Sequence, residues 1–507
     1  MRMGSTAGRN WSISALVFTI LFVAPGLMWA QEGTSKLSVE WEKPVIVSKT
    51  TPTLQVVVNP MLMRSSPIHD QAFLALKNMK ADYVRFVPWL PYPRLGVAEL
   101  REPANGKTWW DFSLIDPITR DFFDATEGHS TVLNFSTIPE WMFKGESAGS
   151  IPEDPKAVVW DYEKGAELRD ASGKEVADYY GRLVSWYTRG GFTDELDVEH
   201  HSGHSYALPY WEVLNEPDYE HNLSAAQYTA IYDAVVSTIH KLSPGTKFVG
   251  ISLATPGKNP QFFEYFLNPQ NHRAGTPLDY ISYHFYAVPE ADENPETQEH
   301  TFFAQADGFL NVVRYIESTR LRLSPQTKTM INEVGSISAE GANQGAPGEE
   351  TKPIPDSYWN LSGALYAYLF GELTRMGIDV VGESQLVGYP TQFPSVTMVD
   401  WNSGQPNARY WVLKLLRENF GAGDTLVESK VDLPYVYSMA VLRKDGRRRV
   451  LLVNKRSRPV VVTVPNAQGG AEEFVDLSTA SQAASSVTLK SDKVRLGGLS
   501  VAAVTFP

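Results

Sequence analysis

The 507-residue chain contains no cysteine. That excludes a disulfide framework, a thiol metal site and a thiol nucleophile, and leaves core burial to hold the fold together. Long apolar runs are equally scarce: beyond the first thirty residues no stretch approaches the roughly 20 residues that a bilayer requires. Positive charge is in deficit, with 45 Lys and Arg against 58 Asp and Glu and a formal net charge of -13. Such a surface repels polyanions at long range, so nucleic acid is not an expected partner and a long sulfated polysaccharide is hard to reconcile with the charge. The one dense basic run, RKDGRRR at 443–449, brackets an Asp-Gly hairpin signal and reads as a solvated turn. No internal repeat is found. What is present, 43% hydrophobic and 20% charged residues, is ordinary globular material, enough for one large domain and a smaller one.

The N-terminus has a different texture. Arg2 and Arg9 precede an apolar run at 13–23, followed by Pro25, Gly26 and a small residue, Ala30, where cleavage fits. This is the layout of a secretory signal peptide over residues 1–30, and the run is short for the alternative, a membrane anchor. Its removal takes two arginines and no acid, leaving a charge of about -15. A cysteine-free exported chain points to a secreted or periplasmic bacterial enzyme with no stable membrane association after cleavage.

Strand-like and helix-like segments alternate from about residue 53 to 420, the pattern of a (β/α)8 barrel. Candidate strands fall at 54–58, 83–87, 131–135, 210–214, 248–251, 280–284, 329–331 and 380–383. Apolar residues recur at three- and four-residue steps over 176–187, 225–241, 302–323 and 361–376, with a last helix at 408–419. After Gly421 short alternating strands at 435–442, 450–453 and 460–464 read as a small antiparallel β-sandwich over 421–507. The strand-like stretch at 37–47, within an N-terminal segment 31–51, is expected to join that sandwich, leaving 52–420 for the barrel.

Two glutamates stand at predicted strand exits: Glu216 in WEVLNEPD and Glu333 in MINEVGS. A parallel barrel collects the C-terminal ends of its strands on one face, so distant positions converge there. Two carboxylates facing one cavity can cleave a glycosidic bond, one protonating the leaving oxygen while the other attacks the anomeric carbon. For Glu216 alone the plain alternative is an acidic residue at a helix start.

The N-E-P triplet at the fourth strand exit, His284 and Tyr286 in YISYHFYA at the sixth and Glu333 at the seventh resemble clan A, the retaining β/α-barrel glycosidases, over nearly the whole mature chain. RMGIDVVGESQLVG and VDWNSGQPNARYWVLKLL resemble glycoside hydrolase family 79, the heparanase and β-glucuronidase group. FSTIPEWM and the WEVLNEPD region look equally like family 39, of β-xylosidases and α-L-iduronidases. The resemblance implies Glu216 as acid/base and Glu333 as nucleophile, with Asn215 on the sugar 2-hydroxyl. It implies that Arg85 and Tyr286 hold Glu333, that His284 orients the site, and that Gln385 faces the sugar. Tyr389, beside Gly388, falls where family 79 members recognise a uronate carboxylate. The tryptophan many clan members carry on the eighth strand is absent. No metal or cofactor is implied; the expected partner is an oligo- or polysaccharide, with a transglycosylase or a non-catalytic carbohydrate-binding barrel as alternatives.

Aromatic residues fill the predicted loops: Trp89, Tyr92, Trp109, Trp110, Trp141, Phe143 and Tyr219, of which Trp89 and Trp141 are the foremost candidates to stack on a sugar. The glycine-bearing stretch 336–355 after Glu333 reads as a lid or rim. His200, His201 and His204, with Asp197 and Glu199, have donors suited to a metal, but they precede the fourth strand and belong to the opposite face, where they read as a polar loop. Of the sequons at Asn134, Asn222 and Asn360, the first lies in a predicted core strand, which argues against glycosylation there.

Overall fold

A computed structural model describes residues 34–145, 151–162, 167–290, 293–338 and 353–507. The signal-like segment 1–30 and most of the 336–355 rim lie outside the described residues. Among the described residues there are nineteen strands. The first, β1 (Thr34–Val47), precedes the barrel strands β2 (Thr51–Val57), β3 (Val84–Val87) and β4 (Thr131–Leu133). A hairpin of β5 (Gly191–Thr193) and β6 (Glu199–His201) interrupts them before β7 (Tyr210–Glu212), β8 (Lys247–Leu253), β9 (Tyr280–Ala287), β10 (Lys328–Ser336) and β11 (Val380–Glu383). Eight of these close into a barrel in the order β10-β11-β2-β3-β4-β7-β8-β9, every neighbouring pair parallel. The eight predicted strands are these eight, differing by a few residues at their ends.

Helices cover the outside, as parallel strands demand if both their faces are to be buried. The helix Ala225–Leu242 begins with a capping box in which Ser224 and Gln227 exchange hydrogen bonds, so its start is set by sequence. Among the described residues no helix is long and apolar enough to cross a membrane.

Polarity is divided along the barrel axis. Val132, Tyr210, Val249, Tyr280, Met330 and Val380, from the N-terminal ends of six strands, form one apolar cluster that plugs the base. Polar side chains in or just beyond the barrel strands, among them Arg85, Asn134 and Glu212, lie further along, towards the C-terminal ends.

The remaining strands are β12 (Thr425–Val431), β13 (Val436–Leu442), β14 (Arg448–Asn454), β15 (Val460–Thr463), β16 (Ala471–Val475), β17 (Ser485–Thr488), β18 (Lys493–Leu496) and β19 (Val501–Thr505). They enclose a second core of small aliphatics including Leu37, Val427, Val450, Leu452, Val462 and Val494. The long β1 links the layers, pairing antiparallel with β12 and, through its first residues, parallel with β15. That parallel pair is one departure from the all-antiparallel sandwich expected from sequence; alternation reveals a strand but not the direction of its neighbour. Barrel and sandwich meet at Gly371, where a Cβ would lie 2.5 Å from the Tyr437 ring.

Three buried glutamates give a pH signature. Burial, Glu195 nearby and a hydrogen bond with it push the Glu99 carboxyl up to about 8. Burial likewise raises Glu383 to about 7 against the pull of Arg409, and burial with the charge of Asp476 raises Glu472 to about 7. Each group binds its proton more tightly folded than unfolded, so its contribution to stability falls as pH rises from the ordinary carboxyl range towards 7–8. The thermal midpoint is expected to be higher at pH 5.5 than at pH 8.5, by roughly 5 °C. Calorimetry across that window checks this; a midpoint rising with pH contradicts it.

Candidate active site

The hub of the barrel mouth is Arg85 on β3. Its five N–H groups are all committed. Nε donates to Glu212, Nη1 to Gln55 Oε1 and to Glu333 Oε1, both at 2.6 Å, and Nη2 to Asn215 Oδ1 at 2.7 Å and Ser252 Oγ at 3.1 Å. Glu212, on β7, is fully buried and also accepts from Asn134 Nδ2 (2.7 Å), Ser282 Oγ (2.5 Å) and Asn332 Nδ2 (2.7 Å). A buried carboxylate with three neutral donors and a guanidinium is a satisfied charge. Removing one side of such a pair leaves the other uncompensated, so Glu212→Ala is expected to lower the unfolding free energy by about 3–5 kcal/mol. Urea denaturation measures this; a loss below 1 kcal/mol would contradict the hub.

Period-two alternation on β9 turns Ser282, His284 and Tyr286 inward, while Tyr283 and Phe285 pack outward on Phe263 and Phe309. The Tyr286 hydroxyl donates to Glu333 Oε2 at 2.6 Å and lies 2.6 Å from Ser384 Oγ, which also accepts from Gln55. Gly335 makes room for this ring: a Cβ there would come within 3.0 Å of Tyr286. His284 meets Glu216 Oε1 through Nδ1 at 2.8 Å and Ser252 Oγ through Nε2 at 3.1 Å.

Glu216 follows a strained turn. Leu214 (φ 61°), Glu216 (φ 40°), Ile251 (φ 80°) and Ser252 (φ 50°) lie in the left-handed region that side-chain-bearing residues avoid. The Glu216 N–H donates to the Ser252 carbonyl at 3.0 Å, locking the two turns together. Such strain persists only where surrounding contacts over-determine it, commonly at functional sites.

One oxygen of Glu216, one of Glu333 and a ring nitrogen of His284 lie within 4.8 Å of one another. The two glutamates are electrostatically opposed. Burial raises the Glu216 carboxyl above its ordinary range, reinforced by the charges of Glu333 and Asp218 and opposed by His284. Burial would raise Glu333 too, but His284, Arg85 and the Tyr286 hydroxyl outweigh it and hold that carboxyl below the ordinary range. One histidine with two carboxylates is also a donor set that suits a transition ion, although both imidazole nitrogens already lie in hydrogen bonds.

Of the other residues singled out in the sequence, Gln385 is buried just beyond β11, next to Ser384. Trp89 donates its indole N–H to Glu220 at 2.6 Å, and Glu220 accepts from Asn215 Nδ2 at 2.7 Å. Trp141 is turned elsewhere, donating to the Glu99 carbonyl at 3.0 Å beneath the Arg169 guanidinium. Tyr389 pairs through its backbone with Gln392 and is not among the hydrogen-bond partners of either glutamate. Tyr92 and Phe143 are buried, Trp110 stacks on Tyr179, and Tyr219 is 76% exposed. The histidine cluster does not converge: His200 pairs with Asp194, His204 with Asp116 and His201 with Glu199, on and beyond a β-hairpin rather than a plain loop. Asn134 donates to Glu212 and to the Leu214 carbonyl from a fully buried position, which leaves no room for a glycan.

Gln55, Asn134, Glu212, Ser252, Ser282, Asn332 and Ser384 are site residues that the sequence reading passed over. Their shared signal is a polar residue inside or at the end of an otherwise buried strand.

Comparison with solved structures finds this architecture repeated end to end. The GH51 arabinofuranosidase from Xanthomonas axonopodis pv. citri superposes with a TM-score of 0.63 at 13% identity, covering 94% of this chain and 100% of that one. The family 51 α-L-arabinofuranosidase AbfB from Bifidobacterium longum gives 0.63 at 12% identity, with coverages of 93% and 99%. A GH30 endoxylanase from Clostridium papyrosolvens C71 gives 0.55 at 15%, with coverages of 93% and 100%. The likeness is one of fold. Residues 435–504 match the family model described as D-apionate lactonase, C-terminal immunoglobulin-like domain, which agrees with the β-sandwich. No curated protein matches the sequence.

Proposed function

We propose that this protein is a retaining glycoside hydrolase working by double displacement, with Glu333 as nucleophile and Glu216 as acid/base. The observation that carries the reading is the pair of carboxylates with oxygens within 4.8 Å of each other and pKa values displaced in opposite directions. Retaining enzymes hold their carboxyls about 5–5.5 Å apart, whereas inverting enzymes need about 6.5–9.5 Å to admit a water. In the first step Glu333 forms a bond to the anomeric carbon as the glycosidic oxygen leaves with the Glu216 proton. In the second, water gives a proton to Glu216 and its oxygen displaces Glu333, restoring both groups. Asn215, held by Arg85 and Glu220, is the group this reading assigns to the 2-hydroxyl, where a contact strengthens as oxocarbenium character develops.

The substrate in this reading is a β-glycoside of plant or microbial glycans, β-glucuronide-like as family 79 resemblance suggests or β-xyloside- and β-glucoside-like as family 39 does. The glycosidase folds of the structural neighbours support the class, and the signal-like N-terminus supports action outside the cytoplasm. A panel of aryl β-glucuronide, β-xyloside, β-glucoside, β-galactoside and α-L-iduronide tests it: turnover of at least one is expected, and product analysis with acceptor sugars separates hydrolysis from transglycosylation. Silence on all of them, and on oligosaccharides, would remove the reading.

A second reading follows from the match to a D-apionate lactonase domain. A sugar lactone presents a planar C1 much like an oxocarbenium ion, and water activated by a carboxylate could add there while the ring oxygen leaves protonated, giving an open-chain acid. Aldonolactone opening followed in a pH-stat, with no turnover of glycosides, would favour it.

A further inference from the structure

Three aromatic side chains that the mechanism does not use meet at the barrel mouth, each from a different loop. Trp89 follows β3, Trp160 lies in the long loop after β4, and Phe393 lies in the loop after β11. The Trp89 and Phe393 rings are 23° from parallel with centroids 6.1 Å apart. Trp160 stands across both, at 77° and 5.5 Å to Trp89 and at 76° and 6.2 Å to Phe393. The arrangement is a three-sided aromatic corner.

It is a built feature rather than a chance collapse of loops. The Val159 N–H donates to the Pro91 carbonyl at 2.8 Å, and the Tyr92 and Thr391 hydroxyls meet at 2.7 Å, so both outer loops are fastened to the one after β3. Phe393 sits at φ 50°, a backbone region that a bulky residue avoids unless its position is over-determined. Trp160 keeps 39% of its surface exposed although it is among the largest apolar side chains of the fold. Through Trp89 the corner is joined to the chemistry: the indole N–H and the Asn215 amide donate to the same Glu220 oxygen, and Asn215 adjoins Glu216.

We infer that Trp89, Trp160 and Phe393 form the subsite for the ring on the leaving-group side of the scissile bond. This rests on the glycosidase reading, in which Glu216 protonates the leaving oxygen; Trp89 holds Glu220, whose N–H donates to the Glu216 carbonyl at 2.8 Å, so the corner is fastened to the turn that carries the acid. Aromatic faces are electron-rich and apolar, and the ligand they fit is a six-membered ring with a flat, C–H-bearing face. A pyranose whose substituents are equatorial has such a face, and so does an aryl aglycone. The occupant assigned here is the pyranose of a β-linked glycan.

The test compares three donors that share the glycone the enzyme accepts: the glycosyl fluoride, which leaves this subsite empty, the 4-nitrophenyl glycoside and the β-linked disaccharide. For Trp160→Ala, kcat/KM is expected to fall about tenfold further on the disaccharide than on the fluoride, the upper range for one lost aromatic contact. Trp160→Phe, which keeps a ring, should recover most of that difference. A differential loss confined to the nitrophenyl glycoside would overturn the sugar as occupant, and equal losses on all three donors would overturn the subsite. Failure of the unaltered enzyme to release fluoride from any glycosyl fluoride would instead count against the glycosidase reading itself.

Discussion

Glu333→Ala is expected to lower kcat on an activated aryl glycoside on the order of 10⁴-fold, the scale on which removal of a covalent nucleophile acts. That is about 5 kcal/mol of transition-state stabilisation. Arg85 keeps Glu212, Gln55, Asn215 and Ser252 as partners in the variant, so the fold should survive with a near-native thermal midpoint. The cavity left by the missing carboxylate can admit a small anion. Azide should therefore restore part of the rate and yield a glycosyl azide of inverted configuration. A variant retaining more than a tenth of the activity would show that another group attacks the sugar.

The complementary variant, Glu216→Ala, should behave differently because the lost group carries a proton rather than a bond. General acid catalysis is worth about 10²–10⁴-fold, and the loss should appear in full on substrates with poor leaving groups. With a dinitrophenolate leaving group the first step needs little assistance, so the glycosyl-enzyme should accumulate as a burst. Azide should now give the product of retained configuration. The pH profile provides an independent check. Glu216 must be protonated and its pKa is raised, while Glu333 must be ionised and its pKa is lowered, so the wild-type profile is a bell with Glu333 on the acid limb and Glu216 on the alkaline limb. Glu216→Ala should abolish the alkaline limb and keep the acid one. An unchanged bell would assign the acid to some other residue.

Much of this arrangement is legible in the sequence because parallel-barrel strands are buried on both faces and so announce themselves as short β-branched and aromatic runs. Reading where each run stops is enough to bring Glu216 and Glu333 to one face, while Arg85, Asn215, His284 and Tyr286 are placed beside them by the resemblance to clan A. Glu212 is harder to see. It lies inside the YWEVL run, as the last residue of β7, and a single acid in a buried run looks like noise until Arg85, Asn134, Ser282 and Asn332 are found around it. Its very improbability as a lone buried charge is the signal that was available. The loop aromatics show the opposite limit. Trp89, Tyr92, Trp110 and Phe143 have the same appearance in sequence, yet Tyr92 and Phe143 are core and only Trp89 joins an open corner. Its companions Trp160 and Phe393 are brought there by two hydrogen bonds between loops, which no local pattern encodes.

Intact-protein mass spectrometry after incubation with a 2-deoxy-2-fluoro glycoside of the accepted glycone tests the double displacement most directly. The fluorine slows both steps, and a good leaving group lets the first proceed, so a covalent adduct of one fluorosugar per chain should build up and map to the peptide containing Glu333. A chain that turns over its substrate yet gains no mass, or that carries the label on a peptide lacking Glu333, would contradict the assignment.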